Sequence, residues 1–299
     1  HDQATLDTVL AKTTELKLQV IRYEFPFWLA TAEARFQEAD TVIDSAQRRG
    51  LDVVLIIPPN WLVGEDVLAN DQTNQIATER ATAIAARYRG RVQYYQLANE
   101  IPASSLKPSW SGARTDAYDQ VKYEKSLNWL KATASAIRRT DSSAKLIVTG
   151  HWLQYRFYER AFKDGLDIDI LGWDWFGEQR NIHQLEDEGQ SIDLITRLQQ
   201  FNKPIWFMEA GYSASSPLTE AQQATLDEQF IRDIRNQPAI KGILIGVLVD
   251  QIHLTGTPGQ YDGIVRLDIK QSSVTIGSPK PAYYRLQTLI NQDSGRPKK

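Results

Sequence analysis

Cysteine is absent from this 299-residue chain. Its absence excludes disulfides, thiolate catalysis and the zinc and iron–sulfur sites that depend on cysteine ligands. Histidine is scarce as well, with four residues and no His-x-His motif. A metal-dependent hydrolase needs several histidines at its site, so we predict a site without a metal ion.

Long apolar runs and an excess of one charge are also lacking. No apolar run approaches the ~18 residues that a membrane-spanning helix needs. The net charge is −3, with the 34 lysines and arginines scattered along the chain. These features predict a protein that binds neither membrane nor nucleic acid. The first residues, His1 to Ala4, contain neither an initiator methionine nor a signal peptide, which indicates a processed or trimmed product.

Short apolar runs alternate with amphipathic segments along the whole chain. The runs predict seven strands: Val20–Phe25, Asp52–Ile57, Val92–Ala98, Lys145–Thr149, Ile168–Trp173, Pro204–Met208 and Gly242–Val249. Apolar residues at helical spacing predict eight helices: Ala4–Leu18, Glu33–Arg49, Thr73–Tyr88, Asp119–Arg139, Tyr155–Lys163, Ile192–Phe201, Glu220–Asn236 and Pro281–Asn291.

The predicted fold class is α/β, a (β/α)8 TIM barrel. The strands are almost continuously apolar, as in parallel strands covered on both faces. No Gly-x-Gly-x-x-Gly follows the first strand and no phosphate loop occurs, which disfavours a doubly wound nucleotide-binding sheet. We predict one catalytic domain over residues 1–292 and a solvated tail over 293–299.

The barrel has one strand fewer than its helices require. Either its first strand lies upstream of this chain, or the barrel has seven strands. In both cases the edges of Val20–Phe25 and Gly242–Val249 are left exposed, and we expect something to cover them.

Polar and aromatic residues follow the predicted strands, at the end where barrel enzymes carry their active sites. They are Arg22, Glu24, Asn60, Trp61, Asn99, Glu100, His151, Trp152, Asp174, Trp175, Glu209 and Asp250. A single glutamate at a strand end is usually a solvated charge or half of a salt bridge. Glu100 and Glu209, however, each end an apolar strand at the fourth and seventh positions of the barrel, and this pairing favours catalysis.

In this respect the sequence resembles the clan A retaining glycoside hydrolases. Their acid/base is the glutamate of an Asn-Glu pair after strand four, which matches Asn99-Glu100. Their nucleophile is a glutamate at the end of strand seven, which matches Glu209. The segments 262–265 and 279–284 are similar to the closing part of these enzymes, so the resemblance covers most of the chain.

The resemblance implies hydrolysis of a β-linked oligo- or polysaccharide by double displacement, without a metal or organic cofactor. Retention requires two carboxyl groups about 5–5.5 Å apart, one ionised and one protonated. We expect Arg22 to hold Glu209 as a carboxylate and the neighbouring anion to raise the pKa of Glu100. By analogy, Asn99 donates a hydrogen bond to the 2-hydroxyl of the sugar.

Further residues are candidates for binding the carbohydrate. Trp61, Trp152 and Trp175 follow strands and can stack on apolar sugar faces. His151 stands where the family often carries a substrate-site residue. A tyrosine that contacts the nucleophile is missing after strand six, and Tyr212 is the candidate to replace it. The usual tryptophan after strand eight is missing too.

Other functions remain open on the sequence alone. A Schiff-base aldolase needs a lysine inside a strand, but Lys145 and Lys203 stand at the wrong end of theirs. A carbohydrate-binding protein without turnover is the main alternative, because of the missing tyrosine, tryptophan and first strand. The loop Pro102–Tyr118 favours cleavage inside a polymer, and hydrolysis of polysaccharides favours a secreted or extracellular location. Asp174, Glu178 and Asp250 add charge to the rim, where they could bind substrate hydroxyls or a cation.

Overall fold

Twelve strands and eight α-helices make up the described part of the chain, residues 3–59, 70–176, 181–187, 189–215, 217–270 and 273–294 of a computed structural model. The strands are β1 Val20–Glu24, β2 Asp52–Ile56, β3 Tyr94–Gln96, β4 Lys145–His151, β5 Ile170–Phe176, β6 Leu185–Asp187, β7 Gln190–Ile192, β8 Ile205–Gly211, β9 Ile240–Ile245, β10 Val247–Val249, β11 Gly263–Lys270 and β12 Ser273–Pro279. The helices are α1 Gln3–Glu15, α2 Ala32–Gln47, α3 Asn70–Tyr88, α4 Gln120–Thr140, α5 Tyr155–Lys163, α6 Leu194–Gln199, α7 Glu220–Ile234 and α8 Pro281–Ser294.

Seven of these strands form one parallel sheet in the order β1-β2-β3-β4-β5-β8-β9. The sheet curls into part of a barrel, with helices between its successive strands. This confirms the predicted (β/α)8 TIM-like class. The strands are apolar because both faces of the sheet are covered. A large hydrophobic cluster packs between the sheet and the helices, and a smaller one lies on the inner face of the curved sheet. The smaller cluster comprises Val54, Ile147, Ile170, Met208 and Leu244.

The seven-strand sheet ends at β1 on one side and at β9 on the other, so the predicted open edges are confirmed. A groove of 610 Å³ runs between these two strands. Its walls are mostly apolar and come from both strands and from the helices beside them: Val9, Leu18, Val20, Ile21, Ile231, Ile243, Leu244, Ile245, Leu286, Leu289 and Ile290 are among them.

The carboxyl-terminal elements differ from the prediction. The expected strand Gly242–Val249 is divided at Gly246: β9 joins the sheet, whereas β10 pairs with β11. Strands β11 and β12 form an antiparallel hairpin that the sequence did not predict. Apolar periodicity reports burial but not the partner of a strand, which explains both errors. The domain limit at residue 292 stays a prediction.

Two helices begin at residues whose side chains bond to free backbone N–H groups. A capping box begins α7, with Thr219 and Gln222 each bonded to the other's backbone N–H. Asp119 caps α4 in a similar way by accepting from the N–H of Lys122. None of the helices in the described ranges has the length and apolar character that a membrane crossing requires.

Candidate active site

The carboxyl ends of the parallel strands bring the main candidate residues together. Arg22 lies on β1, and Glu100 follows β3. His151 ends β4 directly beside Asp174 of β5, and Asp174 in turn lies beside Glu209 of β8. Residues in register on neighbouring parallel strands point to the same side of a sheet, so these side chains share one rim.

Arg22 is the centre of the hydrogen-bond network. Its Nη1 donates to Glu209 Oε1 in an ion pair, and its Nη2 donates to Asn99 Oδ1. Its Nε donates to Gln96 Oε1 at 2.7 Å. The predicted contact between Arg22 and Glu209 is thus confirmed. A partly buried guanidinium with three acceptors is held in one orientation, so it can position Glu209 and Asn99 together.

Glu100 has a strained backbone. Its φ is 44° and its ψ 34°, in the left-handed region that a residue with a side chain rarely adopts. The N–H of Glu100 donates to Thr149 Oγ1 at 2.9 Å, and the Thr149 hydroxyl lies 3.2 Å from Asn99 Oδ1. The conformation turns the chain at the end of the strand, and such strain is concentrated at functional sites.

The Glu100 carboxyl also lies close to an imidazole. His151 Nδ1 is 3.3 Å from Glu100 Oε2. Burial lowers the pKa of His151, although the charge of Glu209 opposes this shift. His151 is therefore neutral at neutral pH, and it contributes shape and hydrogen-bonding capacity rather than charge.

The carboxyl groups of Glu100, Glu209 and Asp174 all have raised pKa values. Burial is the main cause for Glu100, and a hydrogen bond with Asp174 and the charge of Arg22 oppose it. Burial also raises the pKa of Glu209, and here it outweighs the effect of Arg22 that we expected to dominate. The pKa of Asp174 is raised well above its usual range by complete burial and by the neighbouring charge of Glu209.

The aromatic candidates occupy different positions. The rings of Trp152 and Trp175 are stacked, with centroids 5.6 Å apart and planes 16° apart. Trp175 is 1% exposed and Trp152 is half-buried. Our expectation of sugar stacking on Trp175 is therefore wrong, because its ring is covered inside the core and only the ring of Trp152 reaches the surface. Trp61 lies outside the described residues.

Tyr212 follows β8, three residues beyond the candidate nucleophile. Its ring packs edge-on against Phe230 of α7, with centroids 6.4 Å apart. Its backbone N–H donates to Asp227, and its carbonyl accepts from Gln223, so these contacts hold Tyr212 against α7. Its predicted role beside Glu209 stays a prediction.

A cleft of 440 Å³ opens next to the catalytic candidates. It is lined by Glu24, Pro58, Asn99, Glu100, Ala103 and Ser104. The last two belong to the loop after β3 that the sequence analysis singled out. Glu24 is a further polar residue of this cleft, and burial raises the pKa of its carboxyl.

Sequence reasoning missed two polar residues that support the site. Gln96 is fully buried, and its Nε2 donates to Ala98 O at 2.9 Å and to Thr149 Oγ1 at 3.0 Å. Thr149 is buried as well, below Asn99 and Glu100. A polar residue inside an otherwise apolar strand was the available signal, because a buried polar group must have a partner.

The other acidic residues of the rim are not equivalent. Asp250 accepts from Lys280 Nζ at 2.6 Å, and this lysine is 1% exposed, so the carboxyl is already paired. Glu178 lies outside the described residues. Within the ranges that the structure covers, no group of three or more histidine, aspartate or glutamate side chains is arranged to hold a metal ion.

Comparisons with known proteins agree with this fold. The Cellulase family (glycosyl hydrolase family 5) matches residues 3–169. No curated protein matches the chain. The GH5_18 protein from Streptomyces cattleya, solved in complex with GlcNAc, has a similar fold. Its TM-score is 0.73 at 15% identity, and the alignment covers 100% of this chain and 77% of that one.

A second similar structure is the family 1 β-glucosidase from Thermotoga maritima. Its TM-score is 0.68 at 11% identity, and the alignment covers 95% of this chain and 85% of that one. The partial (β/α)8 barrel, its acidic rim and the family match define a glycoside hydrolase of clan A. Within that clan, the chain belongs to the cellulase family, glycosyl hydrolase family 5.

Proposed function

We propose that the protein cleaves β-linked oligo- or polysaccharides with retention of the anomeric configuration, with Glu209 as nucleophile and Glu100 as acid/base. One observation carries the proposal: Arg22 joins the Glu209 carboxylate to Asn99, the residue before Glu100. The two candidate carboxyl groups interact, since the charge of Glu100 raises the pKa of Glu209. Two interacting carboxyls of unlike environment are what double displacement requires.

In the first step, a Glu209 oxygen attacks the anomeric carbon while Glu100 gives its proton to the departing glycosidic oxygen. The ion pair with Arg22 favours the ionised form of Glu209, whereas burial favours the protonated form of Glu100. The product is a glycosyl ester on Glu209 and a free leaving group.

In the second step, Glu100 acts as a base. Formation of the ester removes the negative charge of Glu209, so the pKa of Glu100 falls and the group stays ionised. It takes a proton from water, the water oxygen attacks the anomeric carbon, and the Glu209 carboxylate leaves. Both groups return to their starting states.

The substrate-binding residues follow from the same rim. Asn99 Oδ1 accepts from Arg22 and lies near Thr149, so its Nδ2 faces the other way and donates to the 2-hydroxyl of the sugar. His151 bonds a neighbouring hydroxyl, and Trp152 stacks on the sugar ring. Tyr212 is a further candidate for contact with the carbohydrate. The loop over Glu100 favours cleavage within a polymer.

The first test is release of reducing sugar from β-glucans, mannans, galactans and xylans, with Glu209→Ala as the blank. Manβ1-4GlcNAc belongs in the panel, because a variant of the GH5_18 protein was solved in complex with it. We expect turnover by the wild type alone. Binding of a glycan without any turnover would instead support a carbohydrate-binding protein.

The nucleophile is tested directly with 2-deoxy-2-fluoro glycosides that carry a good leaving group. The fluorine slows hydrolysis of the ester, so a covalent adduct accumulates. We expect peptide mass spectrometry to place the adduct on Glu209, and Glu209→Gln to form none. An adduct on another residue, or products with inverted configuration by NMR, would contradict the mechanism.

The acid/base role predicts a dependence on the leaving group. Glu100→Ala should lower kcat/KM about 10²–10⁴-fold on glycans, whose leaving groups need a proton. The loss should be much smaller on dinitrophenyl glycosides, which need none, and azide should restore turnover of the glycosyl ester. Equal losses on both kinds of substrate would argue against this role.

A further inference from the structure

Asp174 is a buried carboxyl group to which the mechanism proposed for Glu100 and Glu209 gives no role. It is 0% exposed, at the carboxyl end of β5. The pairing of β5 with β8 shifts by one residue at this point, so that Trp173 lies opposite Phe207 and Asp174 lies opposite Glu209. Met208 is the extra residue. Such irregularities are common beside active sites, where they redirect a side chain.

Asp174 lacks the donors that a buried carboxylate needs. Neither of its oxygens accepts a hydrogen bond from an N–H or O–H of the described residues. The side chain that it meets at hydrogen-bonding range is the carboxyl of Glu100. Two carboxyl groups can bond to one another only when one of them carries a proton.

The charged and titratable groups around Asp174 explain why Asp174 keeps a proton. Arg22 of β1 is the cation, and it is paired with Glu209 of β8. His151 of β4 is neutral, and the hydroxyl of Tyr158 of α5 donates to a backbone carbonyl. Among the described residues, one cation therefore serves three carboxyls.

The other two carboxyls are better able to be ionised than Asp174. The side chain of Glu100 is 29% exposed and that of Glu209 is 19% exposed. Asp174 has neither solvent nor an ion pair with any of the described residues to stabilise a charge, and so it is the group that stays protonated.

We propose that Asp174 is a positioning residue that carries a proton in the resting protein and donates it in a hydrogen bond to the carboxylate that forms on Glu100. This inference rests on the proposed function of Glu100. When Glu100 gives its proton to the leaving group, negative charge develops on its carboxyl, and the O–H of Asp174 is already in place to stabilise it. The proton of Asp174 itself is not transferred.

A protonated Asp174 makes Glu100 a stronger acid than burial alone would allow. A hydrogen bond to the ionised form lowers the pKa of a carboxyl, whereas an ionised neighbour would raise it. The two possible states of Asp174 thus have opposite effects on Glu100, and substitutions can distinguish them.

Two variants of similar shape test the effect. Asp174→Asn keeps a hydrogen-bond donor, and Asp174→Leu removes it. The alkaline limb of the kcat/KM profile on phenyl and nitrophenyl β-glycosides reports Glu100. We expect Asp174→Asn to keep the wild-type limb and Asp174→Leu to move it up by about one pH unit. Asp174→Ala replaces the leucine variant if that one does not fold.

The leaving group provides a second readout. Without the donor, kcat/KM on phenyl glycosides should fall about 10-fold to 100-fold, with little loss on dinitrophenyl glycosides. A limb that moves to lower pH in both variants would mean that Asp174 is ionised in the wild type. A limb that moves in neither would mean that Asp174 does not act through Glu100. Either result overturns the proposal.

Infrared spectra test the proton without using activity. With ¹³C-labelled aspartate, the wild type at neutral pH should show the C=O band of a protonated carboxyl group, and Asp174→Asn should lack it. Asp141→Asn is the matched control, because Asp141 is also buried but lies at the opposite end of the strands, between α4 and β4. This control should keep the band.

The two hypotheses fail in different ways. A wild type that cleaves no glycoside but shows the band would remove the proposed function and leave the protonated Asp174 established. Turnover without a band would retain the function and overturn the inference about Asp174.

Discussion

Arg22 is the residue on which the ionisation of the nucleophile depends. Its guanidinium bonds Glu209, Asn99 and Gln96 at the same time. Its charge and its hydrogen bond both lower the pKa of Glu209, against the larger effect of burial. The arginine therefore keeps a buried carboxylate available for attack at lower pH than burial would permit.

Replacing Arg22 should change the acidic limb of the activity profile. In Arg22→Ala the pKa of Glu209 rises, because a stabilising cation is lost, and the acidic limb of kcat/KM moves to higher pH. We expect kcat/KM at the optimum to fall about 10²–10³-fold. Arg22→Lys is the control. It keeps the positive charge but loses the planar guanidinium that bonds several acceptors at once, so the acidic limb of kcat/KM should move less. If the acidic limb of Arg22→Ala does not move, Arg22 does not keep Glu209 ionised.

Strands β4, β5 and β8 approach closely below the catalytic rim, and a glycine makes the approach possible. A Cβ atom on Gly172 of β5 would lie 2.7 Å from Thr149 Cγ2, 2.8 Å from Met208 Cγ and 2.8 Å from the Val148 carbonyl oxygen. Thr149 accepts a hydrogen bond from the N–H of Glu100, and Met208 directly precedes Glu209 in β8. The packing at this level of the barrel thus sets the geometry of the site above it.

Gly172→Ala should destabilise the protein because it overpacks this junction. We expect a loss of about 1–3 kcal/mol in the free energy of unfolding, measured with urea. Gly211→Ala is the matched control in β8, since its Cβ would meet only Asp227 Oδ1 at 3.6 Å. The control should change stability by less than about 0.5 kcal/mol. Equal losses in both variants would contradict the packing argument.

At the scale of the whole molecule, the acidic rim opposes stability at neutral pH. The pKa of Asp174 is raised in the folded state, so the folded protein binds a proton that the unfolded chain releases. A group of this kind stabilises the fold below its unfolded pKa and loses that contribution as pH rises toward its folded pKa. The contribution of Asp141 to stability depends on pH in the opposite direction, because hydrogen bonds from Ser143 hold its pKa below the ordinary value.

Urea unfolding across a pH series separates these two carboxyls. Asp174→Asn removes a group that is costly to bury at neutral pH, so we expect it to be more stable than the wild type there, with the gain disappearing near pH 4. Asp141→Asn should be less stable at neutral pH, and its deficit should also shrink as pH falls. If Asp174→Asn gains nothing at neutral pH, Asp174 has an ordinary pKa.

Much of the architecture could be predicted because strand and helix periods are local properties of the chain. Seven strands and eight helices were identified, and Glu100 and Glu209 were selected because each stood at the end of a predicted apolar strand. The assignment of Gly242–Val249 to one strand failed at Gly246, and the β11–β12 hairpin was missed. Pairing joins segments far apart in sequence, so it leaves no local pattern to read.

The same distinction between local sequence and tertiary structure applies to the active site. Residue order along the chain was enough to nominate the two glutamates, Arg22 and Asn99, because the ends of parallel strands must meet at one edge. The burial of Trp175, the left-handed turn at Glu100 and the meeting of Asp174 with Glu100 came only from the tertiary structure. Each depends on the curvature of the sheet and on neighbours from other strands, and curvature and neighbours are decided by packing rather than by any segment alone.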